Sequence, residues 1–391
     1  METNVAPSTA IQSQPAAQLA RQLAAVREYL NDLFPERATT IDCILTAAVA
    51  GEHVLMVGVP GTGKSMLARE FSRCINGSFY EYLFNKFTTP EEFLGPFSIK
   101  GLKADRYDRV LTGRIAEAEV AFLDEIFKSN SASLNTLLPI LNERIVFQGG
   151  GAQSIPLRIA VAASNELPTD PSLQALWDRI MLRCIVEPLH GEAERRSVMM
   201  GISPSRSVPG IDTALIDSID LRGDVVVPDH VVDTIMVMRR KLEADGIVYG
   251  DRRWVKAMEC VRAYTLVCGE TAATTASLSI LASVLWNKES EVASVRTLVE
   301  KVASPFVMKA REVFDKVCAE GNVDDFDEMD TTAISDLLPK LQTAHRRIGE
   351  QVSKTPSGRE REEVRAIAKH LRGIFDRAKA SLANRYNLGS E

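Results

Sequence analysis

The chain has 391 residues, 45% of them apolar and 25% charged, and a formal net charge of −6. That length suggests two or three domains of ordinary globular composition. No apolar stretch is long enough to span a bilayer. No block of lysines forms a nucleic-acid stripe, and six scattered cysteines without a Cys-x-x-Cys pair read as free thiols of a reducing, cytoplasmic compartment.

Residues 1–15 are polar and small, with no basic start followed by an apolar core. They read as a disordered tail rather than a secretory signal. Residues 16–34 carry Leu19, Leu23, Val26, Leu30 and Leu33 at helical spacing, and Thr39 to Ala50 predicts a second helix. The apolar run Val54-Leu55-Met56-Val57 predicts a buried strand. It leads into Gly58-Val59-Pro60-Gly61-Thr62-Gly63-Lys64-Ser65, then a helix opening at Ser65-Met66. The strand, glycine loop and helix in that order form a phosphate cradle. Backbone N–H groups turn inward and the helix N-terminus adds a favourable dipole. Lys64 is placed to reach the β- and γ-phosphates of ATP or ADP, and Ser65 to hold Mg²⁺. Five histidines show no ligand spacing, so no other metal site is expected.

A second apolar run, Val120-Ala121-Phe122-Leu123, ends in Asp124-Glu125. Ligands in open α/β sheets bind at the carboxyl ends of strands. Asp124 suits the magnesium, and Glu125 suits the polarisation of an attacking water. A third run, 157–163, ends at Ser164-Asn165, where the Asn165 amide could hold that water. Strands near 54–58, 79–84, 119–124, 157–163 and 182–186, with helices between, predict a parallel five-stranded α/β sheet between helices. Two irregular arms interrupt it. One runs from Thr88 to Thr112, and the other follows Ile145-Val146-Phe147 with a hairpin tip at Gly149-Gly150-Gly151.

From His190 onward helices dominate. Pro228 to Leu242 is amphipathic, and a helix from Trp254 to Leu266 follows the pair Arg252-Arg253. After an acidic linker, Asp324 to Asp330, an apolar repeat resumes through Ile334, Leu337, Leu338, Leu341, Ile348 and Val352. Past the breaker Ser353 to Gly358 it continues through Val364, Ile367, Leu371, Ile374, Phe375, Ala378 and Leu382. That pattern predicts a C-terminal helical hairpin or bundle. The expected division is a core over 16–189, an all-α lid over 190–270 and a helical region over 271–391.

Several stretches together resemble the MoxR family of AAA+ ATPases and, within it, the RavA-like branch. They are the phosphate loop, Phe87-Thr88-Thr89-Pro90-Glu91-Glu92-Phe93-Leu94-Gly95-Pro96, Phe122-Leu123-Asp124-Glu125-Ile126, Asn142-Glu143-Arg144, Ala163-Ser164-Asn165-Glu166-Leu167-Pro168 and Leu176-Trp177-Asp178-Arg179. The resemblance implies a homo-oligomeric ring, hexameric, in which each nucleotide lies between two subunits. It implies an arginine finger at Arg179, with Arg183 a second candidate, and a lid sensor at Arg252 or Arg253 acting within its own subunit. It implies a chaperone-like ATPase working on a protein client with a von Willebrand A domain partner. No Asp-x-Ser-x-Ser motif is present, so that domain belongs to a separate polypeptide. RavA-like proteins carry a further β-rich module; this chain is too short and too helical for one. The rival reading is a DNA-acting AAA+ motor of helicase or initiator type, against which the missing basic stripe counts.

Overall fold

The computed structural model describes residues 14–168, 173–201, 207–320, 323, 326, 329–355 and 359–388. Residues 1–13 of the expected tail, four acids of the 324–330 linker and residues 356–358 of the breaker lie outside these. The chain divides into two compact units, 1–295 and 296–391.

The first unit is built on seven strands: β1 (Val54–Val57), β2 (Phe79–Leu83), β3 (Val120–Asp124), β4 (Ile145–Gln148), β5 (Gly151–Ser154), β6 (Ile159–Ser164) and β7 (Leu182–Ile185). Five of them form a parallel sheet in the order β2-β3-β6-β1-β7. The unbroken apolar runs of β1, β3 and β6 are buried along their lengths, as strands covered on both faces must be. The edge strand β2 is partly to fully exposed along its length. Helix Ala38–Ala50 packs on β1, β6 and β7, and helix Lys64–Cys74 on β3. The former ends at Gly51, whose φ of +66° closes the last turn onto the Ala47 carbonyl.

The two irregular arms join. β4 and β5 form an antiparallel hairpin with Gly149 and Gly150 at its tip. The first arm holds a short helix, Ile99–Leu102, capped by Ser98. The Gln148 side chain straps the arms together: its Oε1 accepts from the Arg109 N–H at 2.7 Å, and its Nε2 donates to the Arg109 carbonyl at 3.1 Å. Leu94, Phe97, Tyr107, Ile140 and Phe147 line an apolar cleft of about 380 Å³ between them.

The helical part of this unit includes Asp229–Ala244, Asp251–Val267 and a 3-10 segment, Thr275–Ser283. Helix Asp251–Val267 lies on helices Ala38–Ala50 and Gln14–Leu33. Its direction is fixed by contacts at both ends. Lys256 Nζ pairs with Glu52 at 2.6 Å, beyond the C-terminus of helix Ala38–Ala50, and the Tyr264 hydroxyl donates to Asp42, near that helix's start, at 3.2 Å. The two helices are therefore antiparallel, and Arg252-Arg253 sit at the amino-terminal end of β1.

The second unit is a three-helix bundle of Pro305–Ala319, Thr331–Lys354 and Arg359–Leu388. Its core interleaves Ile334, Leu337, Leu341 and Ile348 with Val364, Leu371, Ile374 and Ala378. Pro305 starts the first helix rather than ending one, because a missing N–H costs nothing in a first turn.

Candidate active site

Three neighbouring strand ends converge. The phosphate loop follows β1, Asp124-Glu125 closes β3, and Asn165 follows β6, which lies between them. Gly61 and Gly63 take φ of +82° and +81°, a region open to glycine. Gly58 is needed for closeness: a Cβ there would meet the Val186 carbonyl oxygen at 2.1 Å. Lys64 folds back on the loop, its ammonium donating to the carbonyls of Gly58 at 2.8 Å and Val59 at 2.9 Å. Burial pushes that ammonium below its ordinary range, and the charges of Asp124 and Glu125 oppose the shift.

Glu125 adopts φ +52°, an uncommon conformation that a non-glycine residue holds only when its surroundings demand it. The Asn165 amide donates to Glu125 Oε1 at 2.6 Å, and Lys128 lies 3.3 Å from the same oxygen. Glu125 Oε2 is buried without a hydrogen-bond partner among the described residues. An unpartnered carboxylate oxygen costs desolvation energy unless a ligand satisfies it. The donor set fits Mg²⁺ with a triphosphate. Ser65 and Asp124 provide hard oxygens, and phosphates and water would supply the rest.

The predicted arginines lie elsewhere. Arg179 ends the short helix Gln174–Arg179 and lines a cleft of about 360 Å³ with Arg252, Arg253, Lys256, Asp178, Tyr249 and Asn287. Arg179 Nε has no hydrogen-bond partner among the described residues. Lys256 binds Glu52, and Met181 precedes β7, so this cleft opens at the amino-terminal ends of β1 and β7. The phosphate loop is at the other end. Helix Ala38–Ala50 spans the gap, with 13 residues, about 20 Å at 1.5 Å per residue. An arginine side chain cannot cover that distance. The expectation that a lid arginine acts within its own subunit is therefore corrected: Arg252 and Arg253 share the cleft of Arg179.

Arg183, the second candidate finger, is also corrected. It is 0% exposed. Its guanidinium stacks 3.9 Å from the Trp177 ring and donates to the carbonyls of Trp177, Ile180 and Trp286 and to Asn287 Oδ1. Four internal acceptors leave nothing to offer a neighbouring subunit. Arg253 is mostly spent inside as well: Nε and Nη2 both donate to the Val284 carbonyl, at 3.1 and 2.5 Å. Arg252 is exposed.

Sequence reasoning passed over Arg37. It is buried against the phosphate loop and donates to the Thr62 carbonyl at 3.4 Å, while Glu36 accepts from the backbone N–H groups of His190 and Gly191 at 2.8 and 2.7 Å. No motif marks either residue. Their placement depends on the turn between two helices, which spacing does not reveal.

A parallel sheet with a phosphate loop on an inner strand, paired acids on the next tip but one and a helical lid define an AAA+ nucleotide-dependent ATPase. Comparison with known proteins agrees. A profile described as the "MoxR domain in the MoxR-vWA-beta-propeller ternary systems" matches residues 21–218, and an AAA lid domain profile matches 230–299. The chain belongs to the MoxR family of AAA+ ATPases. Two uncharacterised proteins of Methanocaldococcus jannaschii are 35% and 32% identical to it, over 76% and 77% of this chain and 81% and 78% of theirs. The chaperone MoxR1 of Mycobacterium tuberculosis is 27% identical over 43% of this chain and 45% of its own. The solved structure of a candidate ATPase from Cytophaga hutchinsonii shares the fold, with a TM-score of 0.58 at 16% identity over 74% of this chain and 95% of that one. Among the described residues, no helix is long and apolar enough to cross a membrane.

Proposed function

We propose that the protein is an Mg²⁺-dependent ATPase whose subunits form a ring, most simply a hexamer, and convert hydrolysis into rearrangement of a partner protein. One observation carries the reading: the two sets of residues that phosphoryl transfer requires sit at opposite ends of one sheet. The phosphate loop, Asp124, Glu125 and Asn165 occupy the carboxyl ends, and Arg179, Arg252 and Arg253 the amino ends. A single copy cannot bring them together; two copies packed head to tail can.

In this reading the loop amides and Lys64 hold the phosphates, and Ser65 and Asp124 hold Mg²⁺, which supplies charge neutralisation between the phosphates. Glu125 Oε2 takes the proton of the attacking water, and Asn165 keeps Oε1 turned away from it. The neighbour's Arg179, with Arg252 as the reaching lid arginine, stabilises charge developing on the γ-phosphate. The client-gripping part is the ridge made by the two strapped arms, with exposed Phe87, Tyr107 and Phe147. The RavA-like branch, a cytoplasmic setting and a von Willebrand A domain partner on a separate chain belong to the same proposal; the matched profile's description supports the partner.

Subunit mixing tests it. A Lys64→Ala subunit cannot hold nucleotide but still offers its arginines. An Arg179→Ala subunit holds nucleotide but lacks the finger. Each alone is expected to be inactive, and the mixture to regain ATPase activity. A mixture as inactive as its parts would overturn the shared site.

A further inference from the structure

The two arginine-bearing elements of the distal cleft are not independent. Residues Val284–Asn287, just after the 3-10 segment, hold both. The Val284 carbonyl accepts two hydrogen bonds from Arg253. The Trp286 carbonyl and Asn287 Oδ1 accept from Arg183, the latter at 3.0 Å, and Asn287 Oδ1 also accepts from Trp177 Nε1 at 3.4 Å. Trp177 lies two residues before Arg179, in the same short helix. Arg183 also donates to the carbonyls of Trp177 at 2.9 Å and Ile180 at 3.2 Å, at the buried C-terminal end of that helix. Its guanidinium stacks 3.9 Å over Trp177, whose ring meets that of Trp286 edge-on at 5.9 Å.

A wholly buried guanidinium is costly to hold. A leucine in its place, on a strand paired with β1, would satisfy the sheet equally well. What a leucine could not do is tie the end of one helix to a loop about a hundred residues away. The planar fork of arginine does that with donors in fixed directions and a face for the indole. A six-residue helix has little stability of its own, so the aim of Arg179 depends on what grips its last turn.

We propose that Arg183 is a positioning residue for the shared ATPase site, clamping the Arg179 helix onto the Val284–Asn287 loop that Arg253 grips with its own guanidinium, so that both arginine-bearing elements face the neighbouring subunit as one rigid piece. It serves the nucleotide of the neighbour and not the one bound by its own chain. The claim rests on the shared-site reading above and adds a direction to it. Groups that must act within tenths of an ångström need their own support locked by packing and hydrogen bonds.

The direction is what an experiment can read. In the mixture of Lys64→Ala and Arg179→Ala subunits, only the first donates a complete arginine face with Arg179. Arg183→Met, which keeps length and loses every donor, is placed in one partner at a time. In the Lys64→Ala partner it is expected to lower the regained activity at least tenfold, through kcat with little change in KM for ATP. In the Arg179→Ala partner, whose arginine-donating face is already disabled, the regained activity is expected to stay within twofold. Asn287→Ala, which removes an acceptor from the loop without unburying a charge, is expected to show the same asymmetry more weakly and guards against Arg183→Met failing to fold. Equal loss in both positions would make Arg183 a residue of its own subunit's fold and overturn the proposal. No loss in either position overturns it as well. If the parental mixture regains nothing, the shared site itself is wrong and the clamp goes with it.

Discussion

At the scale of single residues, Glu125 carries the most consequence. Its left-handed backbone turns the carboxylate off the line of β3, Asn165 and Lys128 hold one oxygen, and the other is buried without a hydrogen-bond partner among the described residues. Glu125→Gln keeps the shape and the contact to Asn165 but cannot take a proton. Turnover is expected to drop by about 10²–10⁴-fold, the usual worth of a positioned general base. Nucleotide binding should persist, read by retention of a fluorescent ATP analogue; turnover equal to that of the parent chain would remove Glu125 from the role. The placement of Lys64, Ser65, Asp124 and Glu125 at neighbouring strand ends was legible because a phosphate loop fixes residue types at fixed spacing after a strand. Arg183 was misread for a physical reason. An arginine following an apolar run has the same signature whether it points out to a neighbour or inward onto two indoles. Trp286, which closes that cage, lies over a hundred residues away.

Among the elements, the strands were readable wherever both faces are covered, since β1, β3 and β6 needed long apolar runs. The union of the two arms was not, because it depends on Gln148 meeting the Arg109 backbone, a contact with no periodic signal. The base of the hairpin makes a similar hidden link. His53, just before β1, is buried; its Nδ1 accepts from the Ala160 N–H at 2.9 Å, so Nε2 carries the proton toward the Leu141 carbonyl at 2.8 Å. Arg144, the residue before β4, holds the Gly51 and Leu141 carbonyls beside it. Burial first, and then the charge of Arg144, bring the His53 pKa down to about 3 from 6.5. The folded chain thus keeps His53 neutral between these values, while the unfolded chain takes up a proton below about 6.5. Stability from this group is full above pH 6.5 and is lost as pH falls toward 3, by at most about 1.4 kcal/mol per pH unit. The difference between thermal midpoints of the parent chain and His53→Asn should therefore narrow from pH 7 to pH 4.5. A gap that is constant or widening would show that His53 is not held neutral.

For the molecule as a whole, the opposition of the two half-sites across the sheet sets how activity depends on concentration. In the proposed shared site, each hydrolytic centre takes a phosphate loop from one copy and arginines from the next, so a monomer would be incomplete as a catalyst. On that proposal the specific rate should rise with protein concentration and level off as rings fill, and ATP should shift the curve to lower concentration, because a nucleotide held between copies would stabilise their contact by mass action. The DNA-motor alternative makes a different demand. There the rate would climb on adding duplex or single strands at low salt and fall steeply at moderate salt, as counterion release requires. Measuring ATPase rate over a thousandfold dilution series, with sedimentation at each point and with and without DNA, separates the outcomes. A rate per subunit that stays constant down to concentrations where only monomer sediments would mean that one copy carries a full site. The 13-residue helix standing between the phosphate loop and Arg179 would then have to be bypassed by a rearrangement larger than any side-chain motion.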